Sequence, residues 1–214
     1  MLLVSTLMPL FAGCLSTEVS LTLAETGGTL EIRYIIPAEL WTTGVFDEDS
    51  PERMLPVSER DARETANLYA DVELLQYRLR SVDEMIHVET RYRSASDASL
   101  SALWGSVGTG WLSIDRAAGE LLMPVGGGVG PTEPVQAELL SDLFSGQTAR
   151  FSVDLSALTT DRGEVQTTLL SGGQSQAGAD PGSGPGMAAL ELPMEQLVTS
   201  ADPLILRAAW RGED

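Results

Sequence analysis

Four arginines stand at alternating positions in two neighbouring stretches. Arg78 and Arg80 lie in Val72–Arg80 (VELLQYRLR), and Arg91 and Arg93 in Met85–Arg93 (MIHVETRYR). Residues two apart share a face of a strand, so Gln76, Arg78 and Arg80 oppose Leu75, Tyr77 and Leu79, and His87, Glu89, Arg91 and Arg93 oppose Ile86, Val88 and Tyr92. With both apolar sets in the core, the four guanidinium groups share one outer surface, because a one-residue slip would bury four unpaired charges. Such a surface can hold phosphate or carboxylate in a bidentate manner. The competing reading is cross-strand pairing with Glu73, Glu89 and the acidic helix around Glu59 and Glu64, worth about a few tenths of a kcal/mol per pair.

Other candidates are thinner. His87 is the one histidine, too few for a zinc site, and no G-x-S-x-G gives it a nucleophile; Gly105-Ser106-Val107-Gly108 falls short. Gly126-Gly127-Gly128-Val129-Gly130 lies between a strand and a helix, where a phosphate cradle would sit, but its spacing is that of a plain connection. Asp47-Glu48-Asp49 with Glu52 lacks the glycine and ligand spacing of a calcium loop. The chain has no lysine, which excludes a Walker A lysine, a Schiff base and a Ser-Lys dyad. No cofactor is implied and no metal set is evident.

The single cysteine carries the most specific signal. Cys14 follows Phe11-Ala12-Gly13 at the end of an uncharged, mostly apolar run over 2–12. That run has the length of a secretory apolar core and is too short to span a bilayer as a helix. Small residues directly before a cysteine are similar to the lipobox of bacterial lipoproteins, where the thiol is alkylated by a diacylglycerol and the chain is cut before it. No Lys or Arg precedes the run, and Phe11 takes a place usually held by an aliphatic residue. The alternative is a first buried strand or an artefactual start site at Met1. The lipobox reading predicts a signal peptide over 1–13, a lipid at Cys14, and one domain over 14–214. It sets that domain outside the cytoplasm, lipid-anchored to the cell membrane or the outer membrane.

Length and composition agree with a single globular domain: 214 residues, 43% hydrophobic, and one cysteine, hence no intrachain disulfide. The formal charge of −18 argues against nucleic acid and against electrostatic docking on anionic lipid, leaving acylation as the membrane attachment.

These residues must be positioned by a β-rich chain. Alternation predicts a hairpin from Val19–Leu23 and Leu30–Ile36, a helix capped by Ser58, and the arginine-bearing hairpin with its turn at Asp83-Glu84. A helical turn over 97–104, a hairpin of 109–114 with 120–125, and an amphipathic helix over 132–144 follow. Strands at 151–155, 165–170, 187–192 and 204–210, with a helix from Met194, complete the pattern. Ser171 to Gly186, SGGQSQAGADPGSGPG, reads as a flexible surface loop. The fold expected is α+β, a largely antiparallel sheet of successive hairpins with three or four short helices packed on one face.

The order of parts adds a resemblance. A cysteine-led hairpin, Leu55-Pro56 before a capped helix, the strand at 151–155, a Gly-rich insert, and a closing Leu204-Ile205-Leu206-Arg207-Ala208-Ala209-Trp210 resemble a group of uncharacterised lipoproteins of spirochaetes. More distantly, the N-terminal half is similar to the LppM-like bacterial lipoprotein domain, which implies association with lipid. The resemblance carries over no functional residue except Cys14. The function expected is a non-enzymatic binding or structural module, its partners the membrane through Cys14 and lipid or another envelope component. The alternative is a glycan-directed hydrolase or transferase working with carboxylates alone, since two suffice for glycoside cleavage.

Overall fold

The computed structural model describes residues 16–42, 57–107, 110–127, 141, 144–159, 165–175 and 186–210. They form an α+β domain rich in strand, with two sheets in place of one. β1 (Ser16–Leu23) and β2 (Gly28–Pro37) make the first hairpin and run into the short helix α1 (Ala38–Trp41). α2 (Glu59–Asn67) follows, then the hairpin of β3 (Val72–Val82) and β4 (Met85–Ser94), then α3 (Asp97–Val107). β5 (Ser113–Asp115) pairs with β6 (Glu120–Gly126). β7 (Thr148–Asp154), β8 (Val165–Ser171), β9 (Gln174–Ser175), β10 (Met187–Pro193), α4 (Met194–Thr199) and β11 (Leu204–Trp210) complete the order.

The first sheet has the order β10-β7-β1-β2-β4-β3 and the second β5-β6-β11-β8-β9. All pairings are antiparallel except β1 with β7, which sets Val19 beside Phe151 and Leu21 beside Val153. A parallel pair requires a long crossover, and here most of the chain lies between the two strands.

Strict alternation makes the core. Leu21, Leu30, Tyr92, Phe151, Val153 and Leu190 point inward from the first sheet; Leu121, Met123, Leu169, Leu206, Ala208 and Trp210 do so from the second, and all belong to one contiguous cluster. Each Leu so buried stabilises the fold by about 1.5–3 kcal/mol. Leu100, Leu103 and Trp104 bring α3 into the same cluster, while Ile36, Val57, Ile86 and Val88 form a smaller one beneath α1.

α2 starts as its sequence predicts. Ser58 Oγ accepts from the Asp61 amide at 3.1 Å, and Asp61 Oδ2 accepts from the Ser58 amide at 3.1 Å, closing a capping box. At Gly27 the backbone has φ +62°, and a Cβ would meet the Ser94 carbonyl oxygen at 2.2 Å, so only glycine fits this turn.

Two expectations shift. α3 continues beyond 104 to Val107. The loop expected over 171–186 starts later: Ser171 ends β8, Gly172 and Gly173 turn at φ +57° and +78°, and Gln174–Ser175 pairs back onto β8. Adjacent glycines with positive φ suit a two-residue hairpin, so a stretch that looked merely flexible specifies a turn. Of the helix expected over 132–144, Ser141 and Phe144 are described and helical; the rest lies outside the described residues, as do 1–15, the acidic cluster 47–52 and 176–185.

Candidate functional site

Arg78, Arg80, Arg91 and Arg93 lie on the outer face of the first sheet, all exposed, with His87 half-buried among them. The register sets Arg93 opposite Glu73, Arg91 opposite Gln76, Glu89 opposite Arg78 and His87 opposite Arg80. That match depends on a bulge. Between Leu74 and Gln76 the pairing slips by one residue, leaving Leu75 unpaired and 43% exposed. Simple alternation placed Leu75 inward and gave no reason for Glu73 to share the arginine face. The bulge corrects both, because it changes the phase of β3 between Glu73 and Gln76.

Three of the four arginines meet carboxylates. Arg93 pairs with Glu73, Arg80 reaches Glu89 at 3.6 Å, and Arg91 reaches Glu31 at 3.6 Å. Glu89 also accepts from Gln76. Arg78 has no acidic partner among the described residues. The acidic helix α2 takes no part, because its carboxylates are engaged within the helix, Glu64 with Arg60 at 2.8 Å and Glu59 with Arg63. Further along the same face Arg33 holds Glu18 at 2.8 Å and Arg150 holds Glu191 at 2.7 Å. Six arginines (33, 78, 80, 91, 93 and 150) thus share the face with six carboxylates (18, 31, 73, 89, 154 and 191), so it is electrically balanced in a chain of net charge −18. These are exposed pairs, each worth about 0–1 kcal/mol, and together they make a salt-screened lattice.

Parts of two other candidates belong to described elements. Gly126 packs so closely on α4 that a Cβ would lie 2.8 Å from Leu197, and the Gly127 amide donates to the Leu197 carbonyl at 2.8 Å. The Gly127 amide is therefore already in use, and Gly128, Val129 and Gly130 lie outside the described residues. Ser106 sits within α3, where its hydroxyl meets the Tyr69 hydroxyl and the Ala102 carbonyl. Among the described residues no group of three His, Cys, Asp or Glu could hold a metal ion, and no helix is long and apolar enough to cross a membrane.

One polar cluster was not foreseen. Arg116, in the β5–β6 turn, donates to both carboxylate oxygens of Asp97, at 2.6 and 2.7 Å, and to the Ala24 carbonyl at 2.8 Å. Asp97 in turn accepts from the Gly27 amide at 2.9 Å. This clamp ties the β1–β2 turn, the start of α3 and the second sheet together. The Arg116 hydrogen bonds hold the Asp97 carboxyl below its ordinary pKa. Asp71 is lowered too, by hydrogen bonds from Ser99 and Ser96. A general acid needs the opposite shift. Burial pushes the hydroxyl of Tyr34, at the junction of the two apolar clusters, up to about 12.

No family model matches the chain, and no curated protein matches it. What fold and face define is an α+β domain with one balanced, ion-paired sheet surface.

Proposed function

We propose that the chain is a bacterial envelope lipoprotein, anchored through Cys14, whose α+β domain serves as a binding or structural module and not as an enzyme. The observation that carries this is the position of Cys14. It follows an apolar run and two small residues, and β1, an inner strand flanked by β2 and β7, begins only two residues later. Cleavage before Cys14 would leave every described element intact.

The module reading has separate support. Three of the four arginines of the face are paired, and among the described residues His87 has neither a nucleophile nor a metal partner beside it and the two carboxyls with shifted pKa values are both shifted down. A glycan-cleaving pair would keep one carboxyl protonated near neutrality. The experiment is metabolic labelling with radioactive palmitate in bacterial cells expressing the full chain. Wild type takes up label and Cys14→Ala does not; equal labelling of the two would remove the anchor and the location with it.

A further inference from the structure

Two of the six large hydrophobic side chains exposed among the described residues, Leu79 and Val82, stand on the hairpin at the end of the domain that carries the anchor. Ser16 opens β1, and the register sets it level with Ile35, His87 and Arg80 on β2, β4 and β3. The β3–β4 hairpin runs two residues further, to Val82 and Met85, level with Pro37. At the rise of a strand that is about 7 Å beyond Ser16. One residue, Leu15, separates Cys14 from Ser16, so the two Cα atoms are at most about 7 Å apart. The level of the hairpin tip is therefore within reach of a lipid on Cys14.

That tip is built for contact. Every residue from Arg78 to Glu84 is exposed, with Leu79 at 46% and Val82 at 48%. The turn residues Asp83 and Glu84 both have positive φ, 49° and 64°, and the Glu84 carbonyl accepts from the Ala38 amide at 2.8 Å, binding α1 to the hairpin. α1 adds Leu40 and the half-buried Trp41 at the same end. Arg78 and Arg80 balance Asp83 and Glu84 at the tip, and α1 adds the exposed Glu39, so the rim carries a single net negative charge among the described residues.

We propose that this rim, the β3–β4 tip with α1 beside it, rests on the bilayer surface and fixes the orientation of the domain. The proposal depends on lipidation of Cys14. Its partner is a zwitterionic lipid surface: contact comes from Val82 entering the headgroup region, with Leu79 three residues back along β3 and Trp41 of α1 nearby, and is insensitive to salt, as burial without charge attraction requires. The short tether supplies the high local concentration that a few apolar side chains alone could not.

The test uses the acylated full chain, in which the Cys14 thiol is blocked. Val82→Cys or, as a second probe of the tip, Glu84→Cys then provides the one free thiol for an environment-sensitive nitrobenzoxadiazole dye. Glu25→Cys, in the β1–β2 turn at the far end, is the reference. In phosphatidylcholine vesicles the tip probes shift to the blue and are quenched by doxyl-labelled lipid, at low and high salt alike, while the Glu25→Cys probe reports water. If the protein floats with the vesicles and the tip probes also report water, the orientation is wrong and the anchor stands. If Cys14 itself takes up dye and the protein does not float, the lipoprotein reading fails and this proposal with it.

Discussion

Replacing Arg116 by Met keeps most of the apolar stem and deletes the guanidinium that joins the two sheets at the Gly27 turn. Four hydrogen bonds go, at 2.6, 2.7, 2.8 and 3.4 Å, two of them to the charged Asp97. A hydrogen bond to a charged group contributes about 1.5–3 kcal/mol, but both side chains keep some exposure and Asp97 retains the Gly27 amide. The net loss should be about 2–3 kcal/mol, a fall in Tm of about 4–12 °C for a domain of this size. Urea titration of the soluble domain measures the first number and calorimetry the second. The pH dependence has a definite sign. Because the folded pKa of Asp97 is depressed, the clamp is fully present above the unfolded carboxyl value of about 3.9 and is lost as pH falls through the folded value. Wild type and variant should therefore converge on acidification. A deficit under about 0.5 kcal/mol at pH 7, the size of an ordinary surface substitution, would refute the clamp.

The β3–β4 turn holds Glu84 in the left-handed region, and Glu84→Gly should relieve this and stabilise the domain by about 0.5–1 kcal/mol, read as an increase in urea midpoint with unchanged slope. Converting Arg78, Arg80, Arg91 and Arg93 together to Gln should cost only about 1–2 kcal/mol, since the three pairs lost are exposed, and should leave binding to phosphatidylcholine vesicles unchanged. Salt-sensitive binding of wild type to anionic vesicles, lost in that variant with folding intact, would instead make the face a contact surface. Replacing 176–185 by a short Gly-Ser linker, with the Gly172-Gly173 turn retained, should shift Tm by only a few degrees, because halving a loop changes closure entropy by about 0.6 kcal/mol. Loss of cooperative unfolding would show that the segment covers part of the core.

What the sequence made legible was local. Alternation in β1, β2 and β4, the Ser58 capping box and the Asp83-Glu84 turn depend on residues within a few positions of one another, and all are found where the pattern put them. The division into two sheets was not legible, because β11 lies between β6 and β8, and β1 beside β7, through pairings far apart in the chain. The bulge at Leu75 was also hidden: VELLQYRLR alternates well enough to conceal a one-residue slip that only the partner strand imposes. Asp97 and Arg116 looked like an ordinary helix start and turn residue, and nothing near either in sequence signals the other. On the arginine face, periodicity gave the shared surface, whereas the pairing with Glu31 depends on β2 lying beside β4, a tertiary fact.

The central claim concerns Cys14, and the most direct measurement is the intact mass of the protein purified from its own membranes, followed by sequencing of its N-terminal peptide. A lipoprotein gives a chain beginning at Cys14, heavier than residues 14–214 by its acyl groups. A chain that still begins at Met1 and carries a free thiol at Cys14 would contradict the anchor, the location and the orientation built on it.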